Sequence, residues 1–200
     1  MFITFEGPEG AGKSTALRVV AESLTKQGRD VLTTREPGAT DFGQKVRELI
    51  LHGEEMPAEA ELFLFLADRA NHVRRVIRPA LAEGKTVLCD RFADSTFVYQ
   101  AAVRGLDHAF IHQANRFATG GLVPNLTFLL DLDPEIGLAR LKSKDRLDSQ
   151  PLAFHQAVRK GFLDLARAEP KRWRRIDAEG PSDSVIHAIL AEIDAFDHPA

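Results

Sequence analysis

The sequence predicts a doubly wound α/β fold, and three observations carry that prediction. Short β-branched or aromatic runs alternate with long stretches of helical periodicity. The first, third and fourth of these runs are mostly apolar rather than alternating, which suits strands buried on both faces of a parallel sheet. A glycine-rich loop joins the first run directly to the first helical pattern.

In chain order, Phe2–Glu6 reads as the first strand, and the helix at 13–27 follows with Ala16, Leu17, Val19, Val20 and Leu24 as its apolar positions. Asp30–Thr34 reads as the second strand and 41–52 as the next helix. A long helix spans 58–82, with a kink or an end near Pro79. Thr86–Cys89 is the third strand, followed by helices at 93–104 and 108–119. Leu126–Asp131 is the fourth strand and 134–142 its helix. Helices at 151–168 and 182–196 flank a weaker fifth strand, Trp173–Asp177. One segment breaks the alternation: 142–151 is polar, basic and closed by Pro151, and it reads as an exposed insertion.

The 200 residues fit one domain, or one domain with a mobile appendage. Hydrophobic residues at 44% and charged residues at 28% are ordinary for globular chains and exclude a disordered or collagen-like protein. A net charge of −3 and a pI near 6.2 give no global attraction to nucleic acid or acidic membranes, so any bound anion must meet a local cluster. The single cysteine, Cys89, excludes an intramolecular disulfide and reads as a small buried hydrophobe. No apolar run is long enough to span a membrane, and the N-terminus lacks a signal-peptide pattern. A cytoplasmic protein without membrane or nucleic-acid partners is expected.

Gly7-Pro8-Glu9-Gly10-Ala11-Gly12-Lys13-Ser14 matches G-x-x-x-x-G-K-[ST] in the strand–loop–helix setting that the motif requires. Its backbone N–H groups can point inward at phosphate oxygens, and the helix start adds partial positive charge. Lys13 can reach the β- and γ-phosphates, and the Ser14 hydroxyl can ligate Mg²⁺.

Charged groups also stand where solvent-facing residues are not expected. On a wheel of about 100° per residue, Leu62, Phe65, Leu66, Val73, Val76 and Ile77 share an arc about 120° wide with Arg69 near its centre. A buried guanidinium needs an anion, either a carboxylate from elsewhere in the chain or a ligand phosphate. Asp90-Arg91 ends the third strand and Arg35-Glu36-Pro37-Gly38 the second. Ligands of open α/β sheets bind beyond the carboxyl ends of the strands, so Asp90 is placed to hold Mg²⁺ and Arg91 to meet a phosphate. Lys142, Lys144 and Arg146 would make 142–151 a closing basic lid, which a phosphoryl-transfer site needs to add charge and exclude water.

These pieces, in this order, resemble a nucleoside monophosphate kinase, and most closely the bacterial thymidylate kinase family. The stretches that carry the resemblance are the P-loop, Thr34-Arg35-Glu36-Pro37-Gly38, Leu66-Ala67-Asp68-Arg69, Asp90-Arg91-Phe92 with Ser95, Thr96, Tyr99 and Gln100, and Asp145-Arg146-Leu147-Asp148. The resemblance implies a P-loop kinase fold: five parallel strands, helices on both faces and a short basic lid, as one domain over 1–200. It implies transfer of the γ-phosphoryl group of ATP to dTMP, with Mg²⁺, in a homodimer packed through long helices. Gly7 to Thr15, with Pro8, Glu9, Gly10, Ala11, Gly12, Lys13 and Ser14 between them, would hold ATP. Phe65 would stack on thymine, with Thr96 and Gln100 bonding the base edge. Arg69, Arg91 and Arg47 would grip the acceptor phosphate, Glu9 would face the sugar 3′-hydroxyl, and Glu36 would lie near the acceptor. With glycine at position 10, the extra catalytic cation is expected from the lid, from Arg146, Lys144 or Lys142. Phe92 stands where the family usually has tyrosine, Ala101 replaces a common glycine, and the lid is short.

Other readings predict other residues. A GTPase should carry an N-K-x-D motif, which is absent. A deoxynucleoside kinase needs a carboxylate for a 5′-hydroxyl rather than arginines for a phosphate. A non-catalytic P-loop protein needs no acceptor site. A nucleic-acid module would rest on Lys171-Arg172-Trp173-Arg174-Arg175 alone, more simply the decoration of an edge strand.

Overall fold

Residues 1–143 and 145–198 are described by a computed structural model. Strands β1 (Phe2–Glu6), β2 (Val31–Arg35), β3 (Thr86–Asp90), β4 (Leu126–Asp131) and β5 (Trp173–Asp177) pair in the order β2-β3-β1-β4-β5, every pairing parallel. Their carboxyl ends therefore share one edge, and β1, which delivers the glycine-rich loop, lies at the centre of the sheet. β2 and β3 each end one residue later than the sequence suggests, so Arg35 and Asp90 are the last residues paired in the sheet.

The helices are α1 (Lys13–Lys26), α2 (Asp41–His52), α3 (58–82), α4 (93–103), α5 (His108–Thr119), α6 (Pro134–Arg140), α7 (Leu152–Ala168) and α8 (Ser182–Asp197). Period-two alternation divides the sheet faces. Ile3, Phe5, Phe128 and Leu130 pack with α1 and α8. Phe2, Val87 and Cys89 pack on Val73 and Ile77 of α3. Leu129 and Trp173 pack on Val98 of α4 and on Val158 and Phe162 of α7.

α3 runs past Pro79 without ending there. It is α-helical over Ala58–His72, widens to a π-helical turn over Val73–Ile77, and closes as Arg78–Ala82. Pro79 has no N–H, and its ring excludes an α-type bond to the carbonyl of Arg75, so the wider turn carries the chain through. α4 begins as Ala93–Thr96 and is π-helical over Phe97–Val103, which no sequence signal announces.

The 142–151 insertion is less exposed than its composition suggests. Lys142 and Ser143 face solvent, whereas 145–148 are half-buried. Asp145 organises the turn by accepting from the backbone N–H groups of Leu147 (2.8 Å) and Asp148 (2.9 Å). The basic run before and along β5 is met by carboxylates: Arg172 by Asp94, Arg174 by Glu192 and Arg175 by Asp131.

Candidate active site

The loop from Gly7 to Gly12 turns through backbone angles that side chains resist, with φ of 142° at Gly7, 70° at Gly10 and 85° at Gly12. Lys13 folds along this loop, its Nζ donating to the carbonyls of Gly7 (2.9 Å) and Pro8 (2.7 Å). Burial, helped by the charge of Arg91, lowers the Lys13 pKa to about 8. Ser14 Oγ donates to Asp90 Oδ2 at 2.5 Å, so the first turn of α1 meets the end of β3.

Arg91 follows β3 in a left-handed conformation (φ 65°), uncommon for a residue with a side chain. Its guanidinium donates to Glu9 Oε1 (3.1 Å) and Ser95 Oγ (3.3 Å) and lies 5.3 Å from the centre of the Tyr99 ring. Glu9 also accepts from the Tyr99 hydroxyl and faces His155 Nδ1 at 3.3 Å. Burial opposes the Glu9 charge, but His155, Arg91 and Lys13 outweigh it and hold the carboxyl well below the usual range. The same contact raises the pKa of His155. Below them, Glu6 accepts from Phe92 N (2.8 Å) and Ser95 Oγ (2.7 Å), pinning the start of α4 to β1. Burial, with the nearby Asp94 charge, raises Glu6 to about 7.

Arg69 meets protein acceptors on all three nitrogens. Nε donates to Glu36 Oε2 (2.8 Å), Nη1 to Thr96 Oγ1 (2.8 Å) and Asn115 Oδ1 (2.7 Å), and Nη2 to the Phe92 carbonyl (3.1 Å). Of the two anions the sequence left open, the carboxylate is the one present: Arg69 is the buried partner of Glu36. A single N–H on Nη2 remains for anything else, and Arg69 still lines the cleft. Glu36 is engaged at its second oxygen by His72 Nδ1 (2.9 Å). The neighbouring carboxyl of Asp68, desolvated and beside Glu36, rises to about 6.

A second buried carboxylate, Glu61 on α3, gathers Gln100 Nε2 (2.9 Å), Arg104 Nε (3.3 Å) and the guanidinium of Arg146. Arg146 Nε also donates to the Ile50 carbonyl (2.9 Å). Arg146 is therefore anchored to α2 and α3 in this structure, away from the glycine-rich loop where the catalytic cation was expected. Glu61, buried and otherwise without a countercharge from its own element, is the physical reason. Lys144 lies outside the described residues.

These elements enclose a cleft of about 310 Å³. Glu9, Gly10, Lys13 and Ser14 line it together with Glu36, Arg47, Phe65, Arg69, Asp90, Arg91, Thr96 and Gln100. Most of the expected site residues are thus brought to one cavity; Arg146 is not among its lining. Arg47, half-buried, donates to the Pro37 carbonyl (3.1 Å), and burial together with Arg35 lowers its pKa. Phe65 and Leu147 both pack on the cluster of Val46, Ile50 and Leu51, so the aromatic wall and the lid share one apolar base.

Sequence reasoning missed Glu6, Glu61, His72, Tyr99, Asn115 and His155 as site residues. Both histidines are buried and paired with carboxylates. One signal was available: on the α3 wheel, Glu61 and His72 fall about 60–80° from Arg69, on one border of its apolar arc.

The chain matches the family model described as thymidylate kinase over residues 5–189. It is 55% identical over 194 residues to the thymidylate kinase of Synechococcus sp. (strain JA-2-3B'a(2-13)), covering 97% of this chain and 94% of that protein. It is 50% identical to the thymidylate kinase of Desulfosudis oleivorans, covering 97% of this chain and 96% of that protein. Among solved structures, the thymidylate kinase from Ehrlichia chaffeensis superposes with a TM-score of 0.83 at 32% identity, covering 96% of this chain and 98% of that one.

Proposed function

The chain belongs to the thymidylate kinase family, and from that premise we propose how its single domain transfers the γ-phosphoryl group of ATP to dTMP, giving ADP and dTDP. The observation that carries the residue assignment is the common cleft, which Lys13 and Ser14 of the phosphate loop share with Arg91, Phe65, Thr96 and Gln100.

Gly7 to Thr15 cradle the donor phosphates, with Lys13 exchanging its loop carbonyls for phosphate oxygens. The acceptor is an ionised phosphate oxygen, so no strong general base is needed. The site has to align two repelling anions and neutralise them in a low-dielectric cleft. Arg91, with Arg47 beside it, meets the acceptor phosphate; it keeps more donors uncommitted to protein than Arg69 does. The remaining Arg69 N–H suits one carbonyl oxygen of the base, and Phe65 offers its ring as a stacking surface. Thr96 and Gln100 read the base edge, while Glu9, held by Arg91, Tyr99 and His155, faces the sugar. Glu36 acts through Arg69 by fixing it. Lys142 and Lys144 supply the lid's further positive charge.

Ser14 and Asp90 fit Mg²⁺: both are hard oxygen donors, adjacent at the phosphate loop, and Mg²⁺ takes few protein ligands beside phosphates and water. When bound there it would neutralise charge developing on the donor phosphates. Among the described residues no helix is long and apolar enough to cross a membrane, and we place the protein in the cytoplasm. A homodimer is favoured by exposed Phe63 and Phe117, on α3 and α5, and by Phe110 edge-on to Phe63.

ADP release from Mg·ATP across dTMP, dUMP, CMP, GMP, AMP and thymidine tests the assignment. Strong preference for dTMP with thymidine inert is expected. Preference for another monophosphate would overturn the roles of Phe65, Thr96 and Gln100, and equal use of thymidine would overturn the acceptor-phosphate role of Arg91.

A further inference from the structure

Glu61 does not line the cleft, yet it holds a residue that does. Gln100 is buried, lines the cavity, and donates from Nε2 to Glu61 Oε1 at 2.9 Å. An amide can be turned end for end, and its neighbours decide which end faces where. Here that neighbour is a carboxylate that also accepts from Arg104 and Arg146 and has only acceptor oxygens to offer. Turning the amide would set oxygen against oxygen inside the protein and leave a buried acceptor unpaired.

We propose that Glu61 is a specificity-setting positioning residue: by accepting from the amide nitrogen of Gln100, it fixes the carbonyl oxygen toward the cleft. The site then accepts a base carrying a ring N–H at that edge, as thymine and uracil do. It refuses cytosine, whose corresponding ring nitrogen presents a lone pair. This rests on the reading of Gln100 as a base-edge contact. The same carboxylate also receives Arg146 of the 142–151 segment, which leaves it fully occupied by donors.

The experiment compares kcat/KM for dTMP and dCMP, using the competitive inhibition constant where dCMP turns over too slowly. The proteins are the unaltered chain, Gln100→Leu, Glu61→Gln and the exchanged pair Glu61→Gln/Gln100→Glu. Gln100→Leu should reduce the dTMP/dCMP ratio about tenfold or more. Glu61→Gln, which can donate or accept, should lower it about tenfold by letting the amide turn. The exchanged pair should recover it, since a carboxylate at position 100 offers an acceptor in either orientation. An unchanged ratio in Glu61→Gln, with both substrates slowed alike, would overturn the proposal while leaving Gln100 its role. An unchanged ratio in Gln100→Leu would instead remove the base-edge reading. Where Glu61→Gln alone fails to fold, the exchanged pair decides: recovery supports the proposal, and a ratio as low as that of Gln100→Leu overturns it.

Discussion

Gly10 of the phosphate loop and Gly137 of α6 meet backbone to backbone. A β-carbon on Gly10 would stand 2.0 Å from the Gly137 carbonyl oxygen, and one on Gly137 would stand 2.2 Å from that of Glu9. The crossing ties the conformation of the loop to the helix that follows β4.

Gly137→Ala separates this contact from helix propensity. In an open helical position the change would stabilise by about 1 kcal/mol. Here backbone must move, so a loss of about 1–3 kcal/mol is expected. Because the displaced atoms belong to the phosphate loop, KM for ATP should rise more than KM for dTMP. Thermal unfolding and steady-state kinetics check both; a raised melting temperature would show that the loop tolerates displacement.

Arg69 and Arg91 should differ in how removal divides between stability and catalysis. Arg69→Met strands the buried Glu36 carboxylate, a loss of about 3–5 kcal/mol, or a fall of about 10 °C in melting temperature for a chain of this size. Arg91→Met also takes a countercharge from Glu9, but His155 and Lys13 remain beside that carboxylate, so the melting temperature should fall less than in Arg69→Met while kcat/KM for dTMP drops about 100-fold. Calorimetry beside acceptor kinetics distinguishes them, and a stable Arg69→Met enzyme with only a raised acceptor KM would return Arg69 to the phosphate.

The difference between these arginines shows what the sequence could carry. Val87-Leu88-Cys89 announces a buried strand, and the phosphate loop announces itself, because in both the determining residues are adjacent in the chain. Arg69 was legible as a buried charge from its place on one helix. Its partners were not, since Glu36 and Asn115 lie 33 and 46 residues away in sequence and nothing local encodes their meeting. Arg146 is the same case: a basic lid residue reads as free charge until Glu61, 85 residues distant, is brought to it. The π-helical stretch of α4 was equally hidden, because Phe97–Val103 has the composition of an ordinary helix.

Glu6 predicts a pH dependence near neutrality. Its folded pKa of about 7 stands above the ordinary carboxylate value, so the folded state holds an extra proton between pH 4.5 and 7. Stability contributed by this group therefore falls as pH rises through that window, at no more than about 1.4 kcal/mol per pH unit. Glu6→Gln can still accept from Phe92 N and donate to Ser95, so it should fold and flatten the profile there. Urea unfolding of both proteins at pH 5, 6, 7 and 8 tests this; parallel profiles would assign the slope elsewhere.

His155 and Glu9 give the opposite pair of windows. The His155 pKa is raised by Glu9, so its stabilisation is complete below about pH 6.5 and is lost as pH rises through the folded value. Glu9 is held low, so its contribution is present above the ordinary carboxylate range and lost only at strongly acid pH. Substituting His155→Gln leaves a neutral partner for Glu9, and the stability difference from the unaltered protein should be largest near pH 6 and narrow with increasing alkalinity. Because Glu9 also holds Arg91 and the Tyr99 hydroxyl, KM for dTMP should follow the same profile in the unaltered enzyme and lose it in the variant. A stability difference constant from pH 6 to 9 would mean that His155 meets Glu9 as a neutral ring.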